Sequence, residues 1–163
     1  MRLTVRTDLA MRVLMYCAAH RKELVRSADM AHACNASTHH VAQVVNQLSA
    51  LGFLKTLRGR SGGVQLARDP AHLTVGEVFL QFEADLPLTE CFDEQGNTCP
   101  LRACCRLREA VSNAVAAFYA SLECVTLQDL VCDNFELQAL FATPRCVAGE
   151  RRITRQPELE AQV

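Results

Sequence analysis

Apolar residues in the first third of the chain recur at helical spacing in three groups. Leu9, Val13, Tyr16 and Cys17 fall at i, i+4, i+7 and i+8, which predicts a helix opened by Thr7 as its cap, with Cys17 a small core residue. A second short helix is expected from Ser27 to the "CNAS" stretch, where Asn35 suits a C-terminal turn. Ser37 then caps a third helix. Val41, Val44, Val45 and Leu48 line one side of it, His39, Gln43 and Asn46 the opposite side, and His40 and Gln47 the flanks. The period then drops to two. Phe53 to Leu57 and Val64 to Ala67 read as strands of a hairpin, with Gly62 and Gly63 allowing positive φ at the tip and Asp69-Pro70 as the stop. Thr74 and Glu77 form a T-x-x-E capping box for a helix from Val75 to Glu83, and Pro87 ends any continuation. The acidic stretch from Leu88 to Cys99 has no apolar period. Pro100 suits the first position of a long helix in which Leu107, Val111, Ala114, Phe118 and Leu122 form a seam. A last short helix is expected from Thr126, and the chain from Thr143 onward has the polar composition of a disordered tail.

This order of elements predicts a mainly α fold with a small β-hairpin wing: a winged helix-turn-helix followed by a long dimerisation helix. The expected divisions are a DNA-binding domain over 1–85, a sulfur-rich loop over 86–100, the long and C-terminal helices over 101–142, and the tail over 143–163. Two helices about a short turn, the second with a flat polar face, suit the laying of a recognition helix in the major groove of double-stranded DNA. The candidate contacts are Ser37, Thr38, His39, His40, Gln43 and Asn46, where the two amides can pair with an adenine edge and the histidines can reach bases or phosphates. A solvated surface face would look the same on these residues alone. The hairpin shifts the balance towards DNA, because a wing with Arg58 and Arg60 at its tip can follow the phosphate backbone or enter the minor groove. The seam of the long helix calls for a partner helix. A second subunit is the better fit than internal packing, since two halves of a palindromic operator need two readers.

Charge and composition narrow the partners. The net charge of -1 conceals a polarity: residues 1–80 hold ten Lys/Arg against five Asp/Glu, residues 81–163 seven against thirteen, and all five histidines lie in the first half. The basic half suits a polyanion. Residues 1–25 interleave Asp8, Arg12, Arg21, Lys22 and Glu23 with the apolar positions, so neither a signal peptide nor a membrane span is expected and the protein is read as cytoplasmic. In a reducing compartment, nine cysteines, an odd number, point to a metal or redox site rather than a disulfide framework. Four of them, Cys91, Cys99, Cys104 and Cys105, lie together. Their gaps match neither zinc-ribbon knuckles nor the ferredoxin run, which leaves zinc open but unindicated. Adjacent residues on a helix point about 100 degrees apart, so Cys104 and Cys105 do not both serve one site, and spacing does not say which does. Cys34, Cys124 and Cys132 read as small buried or semi-buried residues and Cys146 as a tail thiol. There is no glycine-rich nucleotide loop and no evident acid/base pair, so an enzyme or electron-transfer component is disfavoured.

"MRLTVRTDLAMRVLMY", "RGRSGGVQL", "TVGEV", "CPLRACCRLREAV" and "FYASLECVTLQDLV" together resemble the Rrf-type winged-helix regulators, over a continuous span from Met1 to about Val131. The closest likeness is to the nitric-oxide-responsive repressors of that family. The resemblance implies a homodimeric repressor with one iron-sulfur cluster per subunit, 4Fe-4S in preference to 2Fe-2S, and nitric oxide as its signal. It assigns the sulfur ligands to Cys91, Cys99 and Cys105. Cys104 departs from the pattern and stands as a substitute ligand or a disulfide partner. Cluster-biogenesis regulators of the family carry a ligand histidine three residues after the last cysteine; Arg108 holds that place here. The resemblance instead implies Asp8, reaching from the other subunit, as fourth ligand, although an acid in the first turn of a helix is favourable for its own sake. Arg12, one turn later, would pair with Asp8 or with Glu83 across the dimer and so couple sensor to reader. A 2Fe-2S cluster, zinc or a thiol switch remain the alternatives.

Overall fold

The computed structural model describes residues 3–59, 62–83, 92–93 and 96–142. Arg60, Cys91, Cys146, Pro87 and the tail from 143 lie outside the described residues. The chain forms α1 (Val5–Ala19), α2 (Ser27–Ala33), α3 (Thr38–Ala50), β1 (Leu54–Leu57), β2 (Gly63–Leu66), a 3-10 turn (Pro70–His72), α4 (Val75–Glu83), α5 (Arg106–Glu123), α6 (Leu127–Val131) and α7 (Phe135–Leu140). Among the described residues no helix is long and apolar enough to cross a membrane.

α1 is the central post. Its predicted face is buried, and with Val41, Val44, Val45 and Leu48 of α3, Met30 of α2, Val78 of α4 and Leu127 of α6 it makes one apolar core. Its cap, however, is Thr4, whose hydroxyl accepts from the Thr7 N–H, and not Thr7. Thr7 is fully buried one turn inside the helix. A carboxylate distant in sequence explains the difference: Glu83, the last residue of α4, accepts from the Thr4 N–H at 3.0 Å, from the Thr4 hydroxyl at 2.9 Å and from the Thr7 hydroxyl. The end of α4 thus accepts the N–H of the capping residue of α1 and places negative charge at the positive end of its dipole.

Burial of the Glu83 carboxyl acts to raise its pKa, but the hydrogen bonds from Thr7 and Thr4 outweigh it and hold the group below the ordinary carboxylate range. A carboxyl depressed on folding contributes stability above its unfolded pKa, near 4.3 for glutamate, and loses that contribution as pH falls through the folded value. Glu83→Gln should therefore flatten the acid limb of the stability curve. Urea midpoints between pH 7 and pH 3 test this; equal slopes for parent and variant would show that the latch carries no charge-dependent stability.

The wing is antiparallel, with Leu54 opposite Leu66 and Leu57 opposite Gly63. Positive φ occurs at Gly59 (116°) and not at Gly62 or Gly63, a correction to the expected turn. The latter two are needed for space. A Cβ on Gly62 would sit 2.2 Å from the Leu57 carbonyl oxygen, and one on Gly63 2.9 Å from that of Val25. Val25, just before α2, exchanges two backbone hydrogen bonds with Val64 at 2.9 and 2.8 Å, which ties β2 to the segment that opens the helix-turn-helix.

After the wing, Thr74 accepts from the Glu77 N–H at 3.1 Å, the first half of the expected box. The Glu77 carboxylate goes to Arg68 at 2.8 Å, and the Thr74 hydroxyl also donates to Glu123 at 2.8 Å. α5 starts at Arg106, later than Pro100 suggested. Residues 99–104 make successive turns, with hydrogen bonds from Arg102 N to Cys99 O (3.3 Å) and from Cys104 N to Leu101 O (3.0 Å), and Cys105 is extended, so the helix begins only after it. The seam divides. Phe118 and Leu122 pack on the core, whereas Leu107 is 70% exposed and Ala114 is exposed. Thr126 caps α6 in a complete capping box with Asp129. α7, which the apolar pattern did not predict, is capped by Asn134 and set off from α6 by Asp133 in the left-handed region.

Candidate DNA-reading face and sulfur-bearing turn

Asn35 adopts φ 49°, the left-handed turn that lets α3 leave α2 at an angle, and Ala36 N–H donates to the Ala31 carbonyl at 2.9 Å to fix it. Ser37 caps α3 by accepting from the His40 N–H at 3.2 Å. With the four apolar residues of α3 turned inward, Ser37, Thr38, His39, His40, Gln43 and Asn46 all lie exposed, as the wheel predicted. No acid occupies the first turn of α3, so its positive end is open to a phosphate. Gln43 Nε2 lies 3.0 Å from His39 Nε2. Arg58, exposed, ends the described first limb of the wing beyond β1. Arg68, which sequence reasoning did not single out, lies over the Phe53 ring at 5.1 Å and pairs with Glu77; it braces the wing base from within the chain.

The thiols fall into two kinds. Cys17 is buried beside Met30, and burial, with Cys34 nearby, pushes its pKa up to about 12. Burial also raises the Cys34 thiol, against the pull of Arg12. Both are protonated packing residues, as expected. Cys124 is exposed, against the expectation of at least partial burial, because it follows the last turn of α5 at the surface. Cys132 is buried as expected, and is also disulfide-bonded, which the single-residue reading did not foresee.

Cys99 and Cys105 are free and half-buried, and Cys104 between them in sequence is exposed. Cys105 is the N-cap of α5 and its side chain makes no capping hydrogen bond, which leaves the first N–H groups of that helix directed at the sulfur-bearing end. A cavity of about 490 Å³ beside it is lined by Cys104 and Cys105, by Arg102, Arg106 and Arg108, and by one acid, Glu109, among other residues. Two thiols at the start of a helix, among basic side chains, are a donor set that fits sulfur ligation of an iron-sulfur cluster. Arg108 lies over the Phe92 ring at 5.6 Å. Among the described residues no three His, Cys, Asp or Glu side chains converge as a metal site, and Cys91, the remaining sulfur of the implied set, lies outside them.

Asp8 is ion-paired with Arg12 in its own helix, and both are about half exposed. Arg12 also donates to the Cys34 carbonyl at 3.3 Å, at the turn of the helix-turn-helix. Of the two partners expected for Arg12, the structure pairs it with Asp8, while Glu83 within the same subunit accepts from Thr4 and Thr7.

Comparison with known proteins places this geometry. The family profile "Rrf2: Iron-dependent Transcriptional regulator" matches residues 3–133. The "HTH-type transcriptional regulator NsrR" of Geobacillus kaustophilus (strain HTA426) is 40% identical over 146 residues, 89% of this chain and 99% of that protein. The "HTH-type transcriptional repressor NsrR" of Streptomyces coelicolor (strain ATCC BAA-471 / A3(2) / M145) is 38% identical over 133 residues, 80% of this chain and 88% of its own length. Among solved structures, T. potens IscR superposes with a TM-score of 0.64 at 19% identity, covering 80% of this chain and 85% of that one, a likeness of fold. The exposed reading helix, the wing and the long helix with a cysteine at its start are those of a regulator and not an enzyme: the chain belongs to the Rrf2 family of transcriptional regulators and resembles its NsrR members.

Proposed function

We propose that the protein is a cytoplasmic, homodimeric repressor whose grip on a palindromic operator is set by an iron-sulfur cluster sensitive to nitric oxide. The observation that carries this reading is the half-buried Cys99 and Cys105, the second at the open N-terminus of α5 among Arg102, Arg106 and Arg108, in a chain 40% identical to an NsrR regulator. Cys91, Cys99 and Cys105 would hold the cluster, 4Fe-4S in preference to 2Fe-2S, with Asp8 of the other subunit as fourth ligand. A bound cluster supplies iron that takes up nitric oxide. A carboxylate is a hard, weakly held donor to that iron. Arg12 holds one oxygen of the Asp8 carboxylate, which leaves the other for iron, and Arg12 also holds the Cys34 carbonyl at the turn between α2 and α3. Ligation and the reading unit therefore share one guanidinium.

The exposed Leu107 and Ala114 of α5 supply an apolar strip for a second subunit. A switch between two dimer geometries needs only a few kcal/mol of differential stabilisation, each 1.4 kcal/mol being about tenfold in affinity. The test is anaerobic purification followed by nitric oxide titration, with visible absorbance and operator retention followed together; both should fall in step. Retention unchanged while the absorbance bleaches would refute the switch. Exposed Cys104 favours a second reading, a thiol switch without iron, which would give colourless anaerobic protein.

On DNA, α3 would enter the major groove and Arg58 and Arg60 would hold phosphates. Arg58→Ala should weaken binding about equally for all sequences and lower the salt slope by about one. A binding titration at several salt concentrations checks it, and an unchanged slope would remove Arg58 from the phosphate contacts.

A further inference from the structure

We infer that His39 is a positioning residue for base recognition: it orients the Gln43 amide so that Gln43 reads adenine only while the His39 ring is neutral. The inference rests on the DNA-binding reading above. Gln43 Nε2 lies 3.0 Å from His39 Nε2, one helical turn away on the exposed face of α3. An amide nitrogen has only hydrogens to give, so the imidazole Nε2 accepts and its proton resides on Nδ1.

A primary amide carries one N–H on the side of its oxygen and one on the side of its own stem. The second suits a neighbour on the same helix. Its use by His39 leaves Oε1 and the other N–H side by side and free, an acceptor-donor pair that matches the N6–H and N7 of adenine in the major groove. His39 thus removes the freedom of the amide to turn over, which an unsupported exposed glutamine retains.

Protonation reverses the contact. Nε2 then carries a hydrogen and can only donate, so it must face Oε1, and the amide turns over. Donor and acceptor exchange places along the free edge, and the match to adenine is lost. His40 is the titratable neighbour the structure places beside His39, with ring centroids 6.1 Å apart. α3 has no acid, lysine or arginine, and α1, α2 and β1 pack against its opposite, apolar side.

The test is selection from a pool of random duplexes by the full-length chain, prepared anaerobically, at pH 8 and at pH 5.5, which bracket the ordinary range of imidazole. At pH 8 the parent should enrich adenine at one position of each half-site, with a discrimination on the order of tenfold. Gln43→Ala should abolish that preference. His39→Ala should reduce it several-fold at pH 8 while total affinity for DNA changes less, and the parent at pH 5.5 should behave like His39→Ala at pH 8. Both positions are exposed and alanine is the best helix former, so the fold is not at risk. Equal adenine preference in parent and His39→Ala, a preference in the parent unmoved by pH, or a loss of affinity in His39→Ala with preference intact would each overturn the inference and leave the DNA-binding reading standing. A parent that enriches no sequence at all would overturn that reading as well.

Discussion

Cys105→Ser protein, purified without oxygen, should hold little of the iron and sulfide of the parent and lack its visible absorption. Loss of a group that merely supports a ligand weakens metal binding roughly 10- to 100-fold, and loss of a ligand itself should exceed that. Serine is a fair replacement here because Cys105 caps α5 without a side-chain hydrogen bond, and a serine hydroxyl is among the best caps available. The helix should therefore be kept or strengthened while the sulfur is removed. Cys124→Ser is the matched control, since that thiol is exposed at the other end of the same helix. Iron and sulfide analysis of the two variants decides the matter. Equal iron in Cys105→Ser and the parent would strike Cys105 from the ligand set, and the same measurement on Cys104→Ser would show whether its neighbour had taken the role.

The second large effect is on stability. Phe53→Ala should cost about 3–5 kcal/mol, the usual range for emptying a buried aromatic site. Phe53 is 1% exposed, among the largest of the buried side chains. Its N–H donates to the Leu48 carbonyl at 2.9 Å, its carbonyl accepts from the Ala67 N–H at 2.9 Å, and its ring lies under Arg68. It therefore joins the end of α3 to both limbs of the wing. Against a total of about 5–15 kcal/mol for a domain, the loss would be a large share. A urea titration should show a lowered midpoint at unchanged slope. Leu57→Ala, at a position 52% exposed in the same strand, should stay within about 0.5 kcal/mol. Comparable losses at the two positions would mean that the wing is not anchored through the ring.

Where the physics is local, the chain could be read directly. The buried stripe of α3, its Ser37 cap, the left-handed Asn35 and the Thr126 start of α6 all follow from spacings of a few residues, and the structure has each of them. The misses have distant causes. Thr7 looked like a cap because nothing nearby shows that Glu83, 76 positions later, takes its hydroxyl. Gly62 and Gly63 looked like sources of positive φ, whereas their lack of a side chain answers to the approach of Leu57 and Val25. Pro100 signalled a helix start, but extended Cys105 delays it to Arg106. α7 is short, and its Asn134 cap was a signal available in the sequence. The exposed polar side chains of α3 were legible as a face, but the His39–Gln43 pairing needed side-chain positions. The sulfur set came from resemblance alone, because its gaps match no common motif and its fourth member is expected from another subunit.

Val25 joined to Val64 has a mechanical consequence. A two-stranded hairpin alone is marginal in water, yet this one is bound at its root to the peptide that opens α2 and is seated on α3 through Phe53. Arm and probe are thus one stiff tool. In the proposed dimer a signal would have little to gain by bending either; what it could alter is the stance of the whole tool relative to its twin, so small movements at the proposed subunit contact would be carried undamped to the grooves.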